Sequence, residues 1–194
     1  MGIPSYFSQV IKNYPSIVRN LKQHRQNKTH FHNLYMDCNS IIYDAVRSTN
    51  TKDPASLIRQ VISNIESYIL KINPSNTVII AFDGVAPFAK MNQQKTRRYK
   101  SAFMAKVEKT SPSEWSTSNI TPGTQFMSEL SKQMLVAFSK TETKYNVEKI
   151  IVTGSDETGE GEHKIFKYIR DNTHLDQNVM LSLCFKQCFI VIYN

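Results

Sequence analysis

The chain has 194 residues, a formal net charge of +8 and a pI of about 9.4. That length allows one domain with a sizeable core, and a basic excess of this size suggests an anionic partner, with nucleic acid the leading candidate. No apolar run reaches membrane-spanning length, and three cysteines (Cys38, Cys184, Cys188) without a C-x-x-C pair exclude a disulfide scaffold, so a reduced, intracellular protein with no membrane association is expected.

Apolar positions at Ile3, Tyr6, Phe7, Val10 and Ile11 have helical spacing, and Tyr14-Pro15 ends that helix. A basic stretch with Arg19, Lys22, Arg25 and Lys28 follows. His24, His30 and His32 match no zinc spacing and read as solvated loop residues. Phe31–Asn39 reads as a strand, and Asp37 at its end is the first acid of the chain. Ser40–Arg47 and Ala55–Lys71 are amphipathic helices, the second started by Asp53-Pro54. Thr77–Phe82 is an unbroken apolar run, as in a strand covered on both faces, and Asp83 follows it directly. A helix over Phe88–Glu108 comes next, then a Ser/Thr-rich loop over Thr110–Ser118 with the sole tryptophan, Trp115. Gln125–Lys140 is a further helix, Lys149–Val152 a third strand and Glu160–Asp171 a helix reached through the polar loop Thr153–Gly159. Strands alternating with helices at crossover spacing predict an α/β fold with a mainly parallel sheet and helices on both faces.

In such sheets ligands bind beyond the carboxyl ends of the strands. Asp37, Asp83, Glu160 and Glu162 all come just after strand ends. Singly, each could cap a helix or favour its N-terminus. Together they would repel strongly, since two like charges 4 Å apart cost roughly 4 kcal/mol at a surface-like dielectric. Protons or metal ions must relieve this, and hard oxygen ligands without thiolates suit Mg²⁺ or Mn²⁺. The glycines flanking Glu160 let the backbone pass close to such a site. On the helix after Asp83, positions Lys90, Gln94, Arg97 and Arg98 fall within roughly a 100° arc, and no acid occurs from Gly84 to Val107. A solvated basic face would usually mix signs, so a phosphate seat beside a metal-binding acid is the sharper reading.

Several blocks carry a family resemblance: Met-Gly-Ile-Pro-Ser-Tyr-Phe at the start, Tyr35-Met36-Asp37-Cys38-Asn39, Phe82-Asp83-Gly84-Val85-Ala86-Pro87, and Lys90-Met91-Asn92-Gln93-Gln94 with Arg97-Arg98. Ile120-Thr121-Pro122-Gly123-Thr124 and Gly159-Glu160-Gly161-Glu162-His163-Lys164 complete them. In this order they make the chain resemble the amino-terminal part of the Xrn family of 5′→3′ exoribonucleases. The resemblance implies a fold related to the flap-endonuclease and PIN nucleases. It implies Mg²⁺-dependent removal of nucleotides from the 5′ end of single-stranded RNA. By the same resemblance Asp37, Asp83, Glu160 and Glu162 fall on the family's catalytic metal ligands. Lys90, Gln94, Arg97 and Arg98 fall on its pocket for a terminal 5′ monophosphate. Tyr43 falls on the ring that stacks on the terminal base, and core packing is the alternative role for it.

The resemblance covers about residues 1–175, an incomplete nuclease domain, and leaves 176–194 as a divergent apolar tail. Where the family has a Tyr-Gly-Leu-Asp-Ala-Asp type segment with further metal ligands, Asn178-Val179 here runs straight into Met180-Leu181-Ser182-Leu183. The expectation is therefore a truncated or internally deleted relative. Its apolar tail would either pack as an edge strand or stay exposed. Two functions remain open: a working exoribonuclease domain, or a catalytically incomplete remnant that binds RNA 5′ ends. A DNA-acting nuclease of the flap type is a third, because a 5′-phosphate pocket does not read the sugar.

Overall fold

The structure is a computed structural model, and it describes residues 9, 12–15, 18–19, 30–49, 53–107, 117–172, 179–182 and 189–192. In chain order the elements are β1 (Val18–Arg19), β2 (Asn33–Asp37), α1 (Asn39–Ser48), α2 (Pro54–Ile72), β3 (Thr77–Ala81) and α3 (Phe88–Val107). They continue with α4 (Gln125–Phe138), the one-turn α5 (Glu142–Tyr145), β4 (Lys149–Thr153), α6 (Gly161–Asp171), β5 (Val179–Ser182) and β6 (Phe189–Ile192).

The strands form one sheet in the order β1-β6-β5-β2-β3-β4. From β5 to β4 all neighbours are parallel, while β6 and β1 are added antiparallel. Period-2 alternation divides the side chains between two cores. Leu34, Met36, Val78 and Ile80 face the larger core, shared with Ile42 of α1, Ile58 and Ile65 of α2 and Met127 and Leu130 of α4. Tyr35, Ile79 and Ala81 face the other side, under Ile165, Tyr168 and Ile169 of α6. Strands buried on both faces are why these segments read as continuous apolar runs.

Local chemistry sets the helix ends. Asp53 accepts from Ser56 N at 2.9 Å ahead of Pro54, and Asn73 closes α2 in the left-handed conformation at φ 51°. Thr124 caps α4 through Met127 N at 3.4 Å.

The α/β architecture with helices on both faces matches the sequence reading. Most boundaries shift by a residue or two, and three of the shifts have a local cause. β2 is shorter than the run Phe31–Asn39, because Cys38 already caps α1. α4 ends at Phe138, since Ser139 is already extended and Lys140 then takes φ 55°. Glu160 is the N-cap of α6 rather than its first residue. The apolar tail is not an edge strand: β5 lies between β2 and β6, and β6 between β5 and β1. Backbone pairing of Val179–Ser182 with β2 and of Phe189–Ile192 with β5 adds two strands to the sheet. The helix expected over the first residues, Trp115 and Glu108 lie outside the described residues. Among the described residues no helix is long and apolar enough to cross a membrane.

Candidate metal and phosphate site

Register brings the acids to one edge. Asp37 of β2 pairs with Ala81 of β3, which pairs with Thr153 of β4. The ladder runs one step further through Cys38 N to Ala81 O at 2.8 Å and Phe82 N to Thr153 O at 3.0 Å. The chains then separate, and Asp83 emerges just past that edge. Asn39 Oδ1 accepts from Asp83 N at 3.2 Å, tying the start of α1 to the end of β3.

Two loops beyond this edge are joined in both directions. Gly84 N donates to Gly159 O at 2.8 Å, and Gly159 N donates to Val85 O at 3.1 Å. A side chain at 84 would run into the Glu157 carbonyl, and Gly159 has φ +99°. Both positions therefore need glycine. This junction fixes where α6 starts. Gly161 N, one of the free donors of a helix N-terminus, points to Asp83 Oδ1 at 2.8 Å. Asp83 does cap a helix, but it caps α6 across 78 residues rather than the helix that follows it. Asp37 reaches the N–H of Asn39 only at 3.5 Å.

Asp37, Asp83, Glu160 and Glu162 thus come within electrostatic range of one another. Asp37 is buried, and burial first, then the charge of Asp83, pushes its carboxyl up to about 7, with Glu162 and Glu160 adding to the effect. The raised affinity for a proton is the penalty of crowding carboxylates where water is scarce. The tightest ligand set among the described residues is Glu160, Glu162 and His163, whose donor atoms lie within 4.8 Å of one another. The two aspartates are not part of that set. From the sequence His163 has no role beyond its place in the Gly159–Lys164 block. The donors are mainly carboxylate oxygens, and such a donor set fits a hard divalent cation.

Two lysines answer the negative charge. Lys90, in the first turn of α3, places Nζ 3.1 Å from Glu160 Oε2. Lys164 of α6 lies half-buried behind the strand ends, and its ammonium donates to Phe82 O at 2.9 Å and Gly154 O at 2.7 Å. Burial pulls its affinity for the proton down, while Glu157, Asp83, Asp156 and Asp37 pull the other way. Lys164 received no role from the sequence. Its signal was its place four residues after Glu160, one helical turn into the domain from the acid edge.

Gln94, Arg97 and Arg98 stand on α3, but their side chains lie outside the described residues. Of this group Lys90 is the member whose side chain is described, and it reaches the acids at Glu160. Tyr43 is 37% exposed on α1 and is not part of either core.

The family model of the XRN 5'-3' exonuclease N-terminus matches residues 1–187. Among curated proteins, 5'-3' exoribonuclease 1 of Schizosaccharomyces pombe is 36% identical over 188 residues, covering 88% of this chain and 14% of the relative. Human 5'-3' exoribonuclease 1 is 33% identical over 190 residues, covering 88% of this chain and 11% of the relative. The 5'-3' exoribonuclease 2 homolog of Caenorhabditis elegans is 32% identical over 235 residues, covering 95% of this chain and 24% of the relative. The chain thus spans under a quarter of the length of these relatives. The last alignment is also longer than the chain, so that relative carries stretches without a counterpart here. With a family match over nearly all of its length, the chain belongs to the XRN 5'-3' exonuclease N-terminus family.

Proposed function

We propose that the chain is the amino-terminal nuclease unit of a 5′→3′ exoribonuclease that acts on single-stranded RNA bearing a 5′ monophosphate. The observation that carries this is the convergence of Asp37, Asp83, Glu160 and Glu162 on one sheet edge, with Lys90 reaching the same place from α3. The motif-bearing unit is residues 1–175, and strands from the remaining tail extend its sheet.

In this reading the acids and His163 hold Mg²⁺, or Mn²⁺ in its place. The bound cation would supply an activated water and charge stabilisation for the leaving oxygen. The chain's own residues set up the reaction. Asp83 orients the start of α6 through Gly161, and this presents Glu160 and Glu162 beside Asp37. Lys164 ties the ends of β3 and β4 together, so the acids keep their spacing when charged. Lys90, Gln94, Arg97 and Arg98 receive the terminal phosphate, and that places the first phosphodiester at the acids. A pocket built for one phosphate favours a monophosphate over bulkier ends by size and charge. Tyr43, exposed on α1, offers its ring to the terminal base, a contact contributing roughly 1–3 kcal/mol.

The test is degradation of 5′-monophosphate and 5′-hydroxyl RNA with and without Mg²⁺, by the wild type and by Asp83→Ala. Selective, Mg²⁺-dependent loss of the monophosphate RNA that disappears in Asp83→Ala is expected. Equal, metal-independent degradation of both would overturn the reading.

A second reading has its own support. β5 runs parallel to β2, with Ser182 opposite Met36, so its far end approaches the acid edge. Yet residues 177–194 contain no Asp or Glu, and this strand brings no further ligand. This strand without a ligand favours the alternative of a chain that binds RNA 5′ ends without turnover. It predicts salt-sensitive binding of monophosphate RNA, weakened by Arg98→Ala, with no products.

A further inference from the structure

We infer that Lys90 and a divalent cation compete for the Glu160 carboxylate, so that filling the acid cluster releases the Lys90 ammonium to a phosphate and the two ligands bind with positive coupling. This rests on the acid cluster being a cation site, as proposed above.

Glu160 is the shared element. It belongs to the set of Glu160, Glu162 and His163 with donor atoms within 4.8 Å, and it also holds Lys90 Nζ at 3.1 Å. Its side chain is 8% exposed, whereas that of Lys90 is 22% exposed, so the acid is fixed and the lysine is the partner with somewhere to go. Glu160 is the N-cap of α6, and its position is set by the Gly84–Gly159 junction and by Gly161 N on Asp83. Lys90 reaches it on a flexible four-carbon stem from the first turn of α3.

Without a cation, the Lys90 ammonium is the countercharge that the described residues place on the buried Glu160. A divalent ion on the same carboxylate replaces that countercharge and repels the ammonium, because both are positive and the site is poorly solvated. The displaced ammonium keeps three donors and full charge. Helix geometry gives it company: positions 94, 97 and 98 lie on the Lys90 side of α3. A phosphate arriving there would hold Lys90 away from Glu160 and so clear the cation's ligand. By linkage, the factor by which the cation tightens phosphate binding equals the factor by which phosphate tightens cation binding.

The experiment is calorimetric titration of the full chain with Mg²⁺ and with uridine 5′-monophosphate, each alone and in the presence of the other. The variants are Lys90→Met, Lys90→Arg and Asp83→Asn. Methionine and arginine are good helix formers, so α3 should persist, and circular dichroism checks it. In the wild type, saturating Mg²⁺ should tighten nucleotide binding by about 5-fold or more, with the same factor in the reverse direction. Lys90→Met should bind Mg²⁺ more tightly than the wild type and show no coupling, while Lys90→Arg should retain it. Tight binding of both ligands with no coupling, or Lys90→Met with unchanged Mg²⁺ affinity, would overturn the competition and leave the cation site standing. Mg²⁺ binding that is absent, or indifferent to Asp83→Asn, would overturn the site and this inference with it.

Discussion

Gly161 lies against Asp37 so closely that a Cβ at 161 would sit 2.7 Å from Asp37 Oδ1 and 3.2 Å from Ala81 O. The carbonyl cannot give way, because Cys38 N already donates to it at 2.8 Å. Helix propensity alone favours alanine over glycine by about 1 kcal/mol. Here the steric term wins. Gly161→Ala is expected to lower stability by about 1–3 kcal/mol and to weaken Mg²⁺ binding by displacing Asp37. Urea unfolding and calorimetry of the same variant check both effects.

Lys164 holds two neighbouring strand ends with one ammonium, through Phe82 O and Gly154 O. Lys164→Met keeps the length of the side chain and removes both bonds. Two carbonyls lose a charged donor, while the cost of burying the charge is recovered. The balance is expected to be a loss of about 1–3 kcal/mol, read from the shift in denaturant midpoint.

The metal-free protein should lose stability through Asp37 as the pH rises from about 4 to about 7. Its carboxyl is raised to about 7 by burial and by Asp83. A group whose folded affinity for the proton is raised contributes its stability below its unfolded pKa of about 4 and loses it as pH rises through the folded value. Between about pH 4 and pH 7 this contribution therefore falls. Added Mg²⁺ should restore stability, and by more at pH 8 than at pH 5, since it needs the ionised acid. Thermal melts with Mg²⁺ and with a chelator at the two pH values measure this.

Glu66 gives the opposite sign. Lys144 Nζ donates to Glu66 Oε1 at 2.8 Å and the Tyr145 hydroxyl donates to the same oxygen, joining α2 to α5. These bonds hold the Glu66 carboxyl below its ordinary value. Its contribution is present above an unfolded pKa of about 4.3 and is lost as pH falls below it. Glu66→Gln should be less stable than the wild type at pH 7, with the difference shrinking as the pH falls below about 4.3. Both partners are partly exposed, so salt should shrink the difference at pH 7.

Periodicity and strand-end chemistry were enough to read β2, β3, β4 and the long helices between them, because each segment's own residue spacing favours that structure, while the one-turn α5 is too short to show a period. The acids were legible for a related reason: Asp37 and Asp83 stand at or just past strand ends, Glu160 and Glu162 start the helix that follows β4, and parallel strands share one carboxyl edge. What only the tertiary structure decided is which groups face one another across that edge. The capping of α6 by Asp83, the grip of Lys164 on Phe82 and Gly154, and the pairing of Lys90 with Glu160 join residues that are far apart in the chain or separated by a fold in it. No local pattern encodes them. The tail shows the same division. Its apolar residues announce strand, but their place inside the sheet depends on the free edge of β2. Composition and spacing determine what a segment can become, and the neighbours it meets determine what its charged groups hold.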